Sequence, residues 1–393
     1  MAVTIGVTRE TFPGERRVAL IPRGCEAVAK LGASVVVEQS AGVPAGFPDD
    51  QYAARGARLA TRSEVFAESD IVLQVRTLGA NPDAGRDDLA LLRSGQMLIG
   101  FGEPLTAAKE VADLARAGVS FFAMELVPRI TRAQSMDALS SMANIGGYRA
   151  VLLAAVALPK IFPMLMTAAG TMTAAKVFIL GAGVAGLQAI ATARRLGAVV
   201  SAYDVRSAVK EQIESLGAKF VVLNIEAGAS EDKGGYAKAL GEDFYRRQRE
   251  ALTEVLREQD VVITTAAVPG QKAPVLITAE MANALQPGSV IVDMAAERGG
   301  NCELTQPGET VVHHGISILG PLNLPSSVPI HASQMFGANL TAFLKLLIKK
   351  GELAVDRQDE IIRETLVTFG GEVVQPRVAE RLGLAPVRAG EGS

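Results

Sequence analysis

The stretch KVFILGAGVAG, Lys176 to Gly186, decides how this chain is read. A short apolar run, Val177 to Leu180, leads directly into Gly-x-Gly-x-x-Gly with glycines at 181, 183 and 186. A strand that turns tightly into a helix through these spacings is a dinucleotide-binding pattern. Gly181 permits the turn, Gly183 lets a pyrophosphate approach the backbone, and Gly186 lets helix and strand pack closely. The helix expected from Val184 to about Arg195 points its first N–H groups at the phosphates. The next strand ends in Asp204, about 20 residues on, where an acid meets the adenine-ribose hydroxyls. That acid favours NAD over NADP by repelling a 2′-phosphate. Arg206 argues the other way, because an Arg nearby accommodates the phosphate. The competing reading of the whole stretch is a glycine-rich structural turn.

Outward from this motif, short β-rich runs recur at Val199–Tyr203, Lys219–Leu223, Asp260–Ala266, Ser289–Met294 and Ile316–Leu319. With Lys176–Leu180 they make a complete doubly wound parallel sheet. TTAAVPGQKAP, Thr264 to Pro274, follows the carboxyl end of a strand, where open α/β sheets bind ligands. The span Asn224–Gln259 is longer than an ordinary connection. Its small and charged run EAGASEDKGGYAKA suits either a lid with Tyr236 as its one large group or a surface loop.

Before the motif, runs at Val3–Val7, Ser34–Glu38, Asp70–Val75, Met97–Gly100 and Ser120–Ala123 alternate with helical patterns such as Gly24–Leu31 and Ala107–Ala117. Alternation of this kind predicts a second parallel sheet. The expected architecture is therefore α/β, with two Rossmann-like domains. Residues 1–140 form the first domain, completed by a C-terminal segment, 332–393, that crosses back; residues 141–331 form the second. The helical run Ala332–Lys350 opens that returning segment, and beyond it the tail is weakly patterned.

Composition bounds the function. The chain has 393 residues, 49% hydrophobic and 21% charged, with a net charge of −3. No basic surface argues for nucleic acid. Cys25 and Cys302, the two cysteines, lack metal-ligand spacing and read as buried, inert thiols in a reducing cytoplasm, with no metal expected. The N-terminus carries no basic n-region followed by an apolar h-region, so no signal peptide is expected. The apolar run Ala150–Gly170 contains Pro159, Lys160 and Pro163 and falls short of about 20 uninterrupted apolar residues, so it is read as a buried helix and not a transmembrane segment.

PRITRAQSMDALSSMA, Pro128 to Ala143, concentrates Arg129, Arg132, Gln134 and Asp137 just before that apolar run. On residue types alone it is a solvated helix entrance with Asp137 or Ser135 as N-cap. The longer stretch PRITRAQSMDALSSMANIGGYRAV, however, resembles the Arg-Gln-Asp loop in the NAD(H)-binding component (alpha-1 subunit) of the proton-translocating nicotinamide nucleotide transhydrogenase family. The resemblance extends through TRETFPGERRVALIP, FPMLMTAAGTMTAAKVFILGAGVAGLQAIATARRLGA, YDVRSAVKEQIESLGAKF, GGYAKALGEDF, TTAAVPGQKAPVLIT and GSVIVDMAAERGGNCELT. It is weakest after about residue 345.

The resemblance implies roles. Arg129, Gln134 and Asp137 match the three residues that name the loop, which in the family lies over the nicotinamide end of NAD(H), between two domains joined by long helices with a cleft between them. Arg129 would donate to the carboxamide and pair with Asp137, and Gln134 would bond a nicotinamide-ribose hydroxyl or reach toward the second nucleotide. Ser135, Met136 and Ser140 fall among the family's nucleotide contacts, with Tyr148 close by. Val184, Asp204, Val205 and Arg206 match its dinucleotide side. Gly235 and Tyr236 match its mobile loop, and Gln248 and Ala267 match further contacts. The implied activity is Re/Si-specific hydride transfer between NAD(H) bound here as substrate and NADP(H) bound on a partner subunit. A membrane proton-channel subunit couples that transfer to proton translocation. The implied form is a homodimer, cytoplasmic and peripheral on the membrane face.

Hydride transfer between two nicotinamides needs positioning and exclusion of water rather than a proton donor. A site without His or Cys is coherent with that. His313, His314 and His331 read as structural or surface residues. The related alanine dehydrogenase chemistry needs a carboxylate anchor, a cationic Lys and a His acid/base. Arg17 matches the anchor. QVRTLG, Gln74 to Gly79, and MLIGFGEPL, Met97 to Leu105, stand where that Lys and His belong. A non-enzymatic NAD-binding regulatory subunit would keep the glycines and Asp204 without needing Arg129, Gln134 and Asp137 together.

Overall fold

In a computed structural model the described residues are 2–223, 242–268 and 270–383. They divide into two compact units, Met1–Met142 with Ser326–Ser393, and Ala143–Pro325.

The first unit carries an eight-stranded sheet. Its parallel part runs Arg58–Ala60, Ser34–Glu38, Thr4–Val7, Ile71–Arg76, Met97–Phe101 and Ser120–Ala123. Each central strand is buried on both faces, which explains near-continuous runs such as Ile71–Val75 in place of alternation. Chain order along the sheet is 3-2-1-4-5-6, the doubly wound arrangement. Two further strands, Leu366–Phe369 and Glu372–Val373, extend it antiparallel beyond Ser120–Ala123. The tail is thus more regular than its weak pattern suggested. Gly370 and Gly371 turn the hairpin at φ +59° and +88°, a conformation that glycine adopts without a Cβ clash. Thr368 seals the seam, its hydroxyl donating to the Val119 carbonyl (2.7 Å) and accepting from the Phe121 N–H (3.2 Å). The helix Pro329–Leu347 opens with Pro at its first turn and packs Phe343 edge-on against Phe122 (5.7 Å between centroids).

The second unit carries seven strands in the order Lys219–Phe220, Val199–Tyr203, Lys176–Leu180, Val261–Thr264, Val290–Asp293, Ile316–Leu319 and Thr310–His313. All pairs are parallel except the last. The first strand in sequence, Lys176–Leu180, lies between the second and the fourth, so the sheet order reverses beside it. The carboxyl end of that strand is the topological switch point, where doubly wound sheets hold their ligands. The expected buried helix Ala150–Gly170 is corrected. The helix spans Ala138–Ala157 and stops before Pro159, and an exposed hairpin, Leu165–Thr167 with Gly170–Met172, follows. By length and composition Ala138–Ala157 is apolar enough to cross a membrane. Its Ala150, Val151 and Ala154 are nonetheless buried in the core of the second unit.

Two carboxyl groups beyond strand ends of the first unit lie above the usual carboxylate range. Glu10 accepts from the Val75 and Arg76 N–H groups (2.6 and 3.0 Å), and Glu125 accepts from those of Gly102 and Glu103 (2.8 and 2.6 Å). Burial, then the neighbouring Glu15, pushes Glu10 up to about 8. Burial, then Glu103, pushes Glu125 up to about 7. A carboxyl whose folded pKa is raised stabilises the fold fully below its unfolded value near 4.5, and that stabilisation is lost as pH rises through the folded value. The thermal midpoint is therefore expected to fall between about pH 5 and pH 8.5, and Glu125→Gln to flatten the part of the fall below about pH 7. A midpoint that rises across this window contradicts the assignment.

Candidate functional site

The three glycines of the motif serve three different physical needs. Gly181 sits at φ +98°, and a Cβ there would lie 2.7 Å from Thr265 Oγ1. A Cβ on Gly186 would lie 1.9 Å from the Gly181 carbonyl oxygen, so the helix could not approach the strand. At Gly183 a Cβ would meet nothing within 4 Å. Packing explains Gly181 and Gly186. At Gly183 the missing side chain leaves open room above the backbone. Gly183 is also the N-cap of the helix Val184–Arg195 and offers its N–H groups no side-chain acceptor. Open room in front of a helix N-terminus fits an anionic group such as a pyrophosphate.

Asp204 ends the strand Val199–Tyr203 and is nearly buried. Its Oδ2 accepts from the Ala182 N–H of the glycine turn (2.7 Å) and from Arg206 Nη2 (2.9 Å). Its Oδ1 accepts from the Arg206 N–H and Nε (2.9 Å each). The acid and the Arg that argued opposite ways in the sequence are one ion pair. Each carboxylate oxygen already receives two donors, so a ribose hydroxyl reaches Asp204 by taking over or sharing an Arg206 contact. Gln248, on the helix Glu242–Leu256, is buried and donates to the Tyr203 hydroxyl (3.0 Å), so its side chain braces the residue before Asp204. Val205 packs against the second unit's core, and Val184 opens the helix.

Opposite the turn, Thr265 donates to the Gly181 carbonyl (3.0 Å), joining the segment after Val261–Thr264 to the glycine loop. Ala267 is exposed on this segment. Gly235 and Tyr236 lie outside the described residues.

The Arg-Gln-Asp stretch belongs to the first unit. Thr131–Met136 forms 3-10 turns, and Asp137 then caps the helix Ala138–Ala157. Asp137 Oδ1 accepts the Ser140 N–H (2.8 Å) and Oδ2 accepts the Ser140 hydroxyl (2.5 Å). Arg129, Gln134 and Ser135 are exposed, whereas Met136 is buried and presents no open side chain. Two anchors hold the loop that sequence reading missed. Asn339 Nδ2 donates to the Ser135 carbonyl (2.9 Å), and Arg132 forms a two-point pair with Asp359 (2.7 and 3.1 Å). Both partners lie about 200 residues away in sequence, so no local pattern announces them.

Arg17 is buried, with Nε and Nη2 on Glu15 (2.8 and 2.6 Å). Arg76 also reaches Glu15 (3.2 Å) and stacks over Phe12 (4.2 Å). Cys25 and Cys302 are buried, and burial pushes the Cys302 thiol up to about 11. His313 bonds Asn283 Oδ1 (2.9 Å), His314 stacks edge-on against His313, and His331 is exposed. No group of metal-ligating side chains occurs among the described residues.

Two sheets of this order define an α/β protein of the Rossmann type. The chain belongs to the alanine dehydrogenase/PNT family: residues 6–146 match the N-terminal domain of that family and residues 150–376 its C-terminal domain. It is 47% identical over 376 residues to the first part of NAD(P) transhydrogenase subunit alpha of Rhodospirillum rubrum, covering 95% of this chain and 98% of that one. It is 44% identical to NAD(P) transhydrogenase subunit alpha of Haemophilus influenzae, covering 95% of this chain and 72% of the relative. The crystal structure of transhydrogenase from Sinorhizobium meliloti matches with TM-score 0.84 and 43% identity, covering 94% of this chain and all of that one. Alanine dehydrogenase of Bacillus subtilis is 28% identical, covering 98% of this chain and 96% of the relative.

Proposed function

We propose that this chain is the NAD(H)-binding subunit of a proton-translocating transhydrogenase. It binds NAD(H) as substrate and passes a hydride to NADP⁺ held by a partner subunit, with a membrane subunit coupling the transfer to proton movement. The observation that carries the binding half is the open room at Gly183 beside an Asp204 tied to the same turn. The transhydrogenase half is supported by the 47% identity to a protein of that name and by the joint presence of Arg129, Gln134 and Asp137. The reaction is NADH + NADP⁺ → NAD⁺ + NADPH, with one hydride moving from C4 to C4 and no proton taken up at either carbon. This chain's role is to hold one ring still and keep water away. Domain limits near residues 140 and 331, homodimer formation and peripheral placement on the cytoplasmic membrane face belong to the same reading.

Asp204 tests the nucleotide preference. Asp204→Ala removes the acid and its bonds to Arg206 and to the Ala182 N–H. NADH affinity is expected to fall ten- to a hundred-fold, in line with losing a charged hydrogen-bond partner of about 1.5–3 kcal/mol. NADPH affinity is expected to rise, because a 2′-phosphate then no longer meets the Asp204 carboxylate beside Arg206. Fluorescence titration of both nucleotides checks this, and unchanged affinities for both defeat the assignment.

Alanine dehydrogenase is the second reading, favoured by Arg17 and by relatives of that name at 27–28% identity. Against it, Arg17 already faces Glu15, Arg76 stands in the Lys position without a titrating role, and no His lies in Met97–Leu105.

A further inference from the structure

We infer that Asn301 is a positioning residue for nucleotide binding: its side-chain amide holds the Thr265–Val268 edge of the cradle in place from behind. The inference rests on the nucleotide reading above and adds a residue which that reading does not contain.

Asn301 is fully buried and touches solvent nowhere, so it cannot itself meet a ligand. Its amide works as a short piece of strand. Oδ1 accepts the Ala266 N–H (3.0 Å), and Nδ2 donates to the Ala266 carbonyl (2.8 Å) and to the Pro274 carbonyl (2.9 Å). Both ends of the segment that leaves the switch point are thereby fastened to one side chain. The last ladder bond on this side is the Thr265 N–H to the Leu180 carbonyl (2.8 Å); at Ala266 the Asn301 amide takes over, and an amide is the side chain that satisfies an N–H and a C=O at once.

Asn301 is in turn fixed by Asp293, at the carboxyl end of the neighbouring strand Val290–Asp293. Asp293 is buried and accepts five hydrogen bonds: Thr264 Oγ1 and the Ala295 N–H on Oδ1, and the Asn301 N–H, Cys302 N–H and Thr305 Oγ1 on Oδ2. The chain of support therefore runs from Asp293 to Asn301 to Ala266, and Thr265 carries it to the Gly181 carbonyl. Exposed Ala267 follows the clamped residue directly. Loss of the clamp removes the side-chain bonds to Ala266 and Pro274 together, while the backbone bonds of Thr265 and Ala273 to Leu180 and Arg298 stay, so the Ala266–Ala267 edge of the cradle loses its fixed height next to an anchored Thr265.

The test is NADH affinity by fluorescence titration on the full chain, with fold checked by circular dichroism at the assay temperature. Asn301→Ala is expected to raise the NADH Kd about ten-fold or more and to speed hydrogen exchange in the peptide containing Ala266 even without nucleotide. Val290→Ala, a cavity in the same unit's core, serves as a destabilised control and is expected to leave Kd unchanged. Asn301→Asp keeps the acceptor for Ala266 and sets a carboxylate against two carbonyls, so it is expected to bind weakly at about pH 8.5 and recover at about pH 6 as the acid gains a proton to donate. The wild-type chain is expected to show no such recovery. Equal Kd shifts in Asn301→Ala and Val290→Ala, or no pH-dependent recovery in Asn301→Asp, overturn the positioning role. Failure of the wild-type chain to bind NADH instead overturns the proposed function on which it rests.

Discussion

Gly183→Val is expected to abolish measurable NADH binding, a loss of at least a hundred-fold, while the thermal midpoint stays within a few degrees of wild type. The reason is the asymmetry among the glycines. Gly183 has φ −72° and ψ −169°, an extended backbone that any residue adopts, and a Cβ there meets no atom within 4 Å. The free chain has no reason to object to valine. A pyrophosphate lying on the backbone does, because its bonds to the helix N–H groups require that approach. Gly186→Ala is the contrast: its Cβ would lie 1.9 Å from a backbone oxygen, so it is expected to lower the midpoint and impair binding together. Isothermal titration with NADH, paired with thermal melts, separates the two. Normal NADH affinity in a folded Gly183→Val chain means that the open room is not where the nucleotide binds.

Gln134→Asn is expected to slow hydride transfer to an NADP-binding partner by ten- to a hundred-fold while NADH affinity changes less than about three-fold. Gln134 is exposed on a loop that Asn339, Asp359 and the Asp137 cap hold firmly. Shortening the side chain by one methylene withdraws the amide by about 1.5 Å, and displacement by about 1 Å near a reacting centre costs about a hundred-fold in rate. The glycine turn and Asp204, to which the proposed function gives most of the binding, are untouched by the change. Single-turnover transfer rates alongside NADH titrations check it. A large affinity loss with a normal rate reverses the role given to Gln134.

The elements around the proposed nucleotide site were legible because their causes are local. Apolar runs of strand length mark Ser34–Glu38, Lys176–Leu180, Val199–Tyr203 and Ile316–Leu319 to the residue, and the glycine spacing marks the turn. Elsewhere the ends shifted by a residue or two: Asp70–Val75 became Ile71–Arg76, Met97–Gly100 ran on to Phe101, and Asp260–Ala266 shrank to Val261–Thr264, although the Asp260 and Thr265 N–H groups still donate to Lys176 and Leu180. Leu366–Phe369 was missed, though LVTF-GG-EVV carries a Gly-Gly hairpin signal, because its pairing partner lies at Ser120–Ala123. The same holds for the site. Asp204 was visible from its place after a strand, but its pairing with Arg206, the brace from Gln248 and the clamp at Asn301 depend on side-chain geometry that spacing does not encode. The apolar Ala150–Gly170 run misled for a related reason: Pro159 ends the helix, and Leu165, Met166 and Met172 lie exposed on a hairpin, against the usual inward sorting.

The central claim is tested most directly by hydride exchange between NADH and an NADP⁺ analogue distinguishable by absorbance. The purified chain is assayed alone and then with a recombinant NADP-binding transhydrogenase domain, with pyruvate plus ammonium as a parallel reaction. The account predicts transfer only when the second domain is added and no NADH oxidation by pyruvate and ammonium. NADH binding without transfer in the presence of that domain, or NADH oxidation by pyruvate and ammonium, contradicts it.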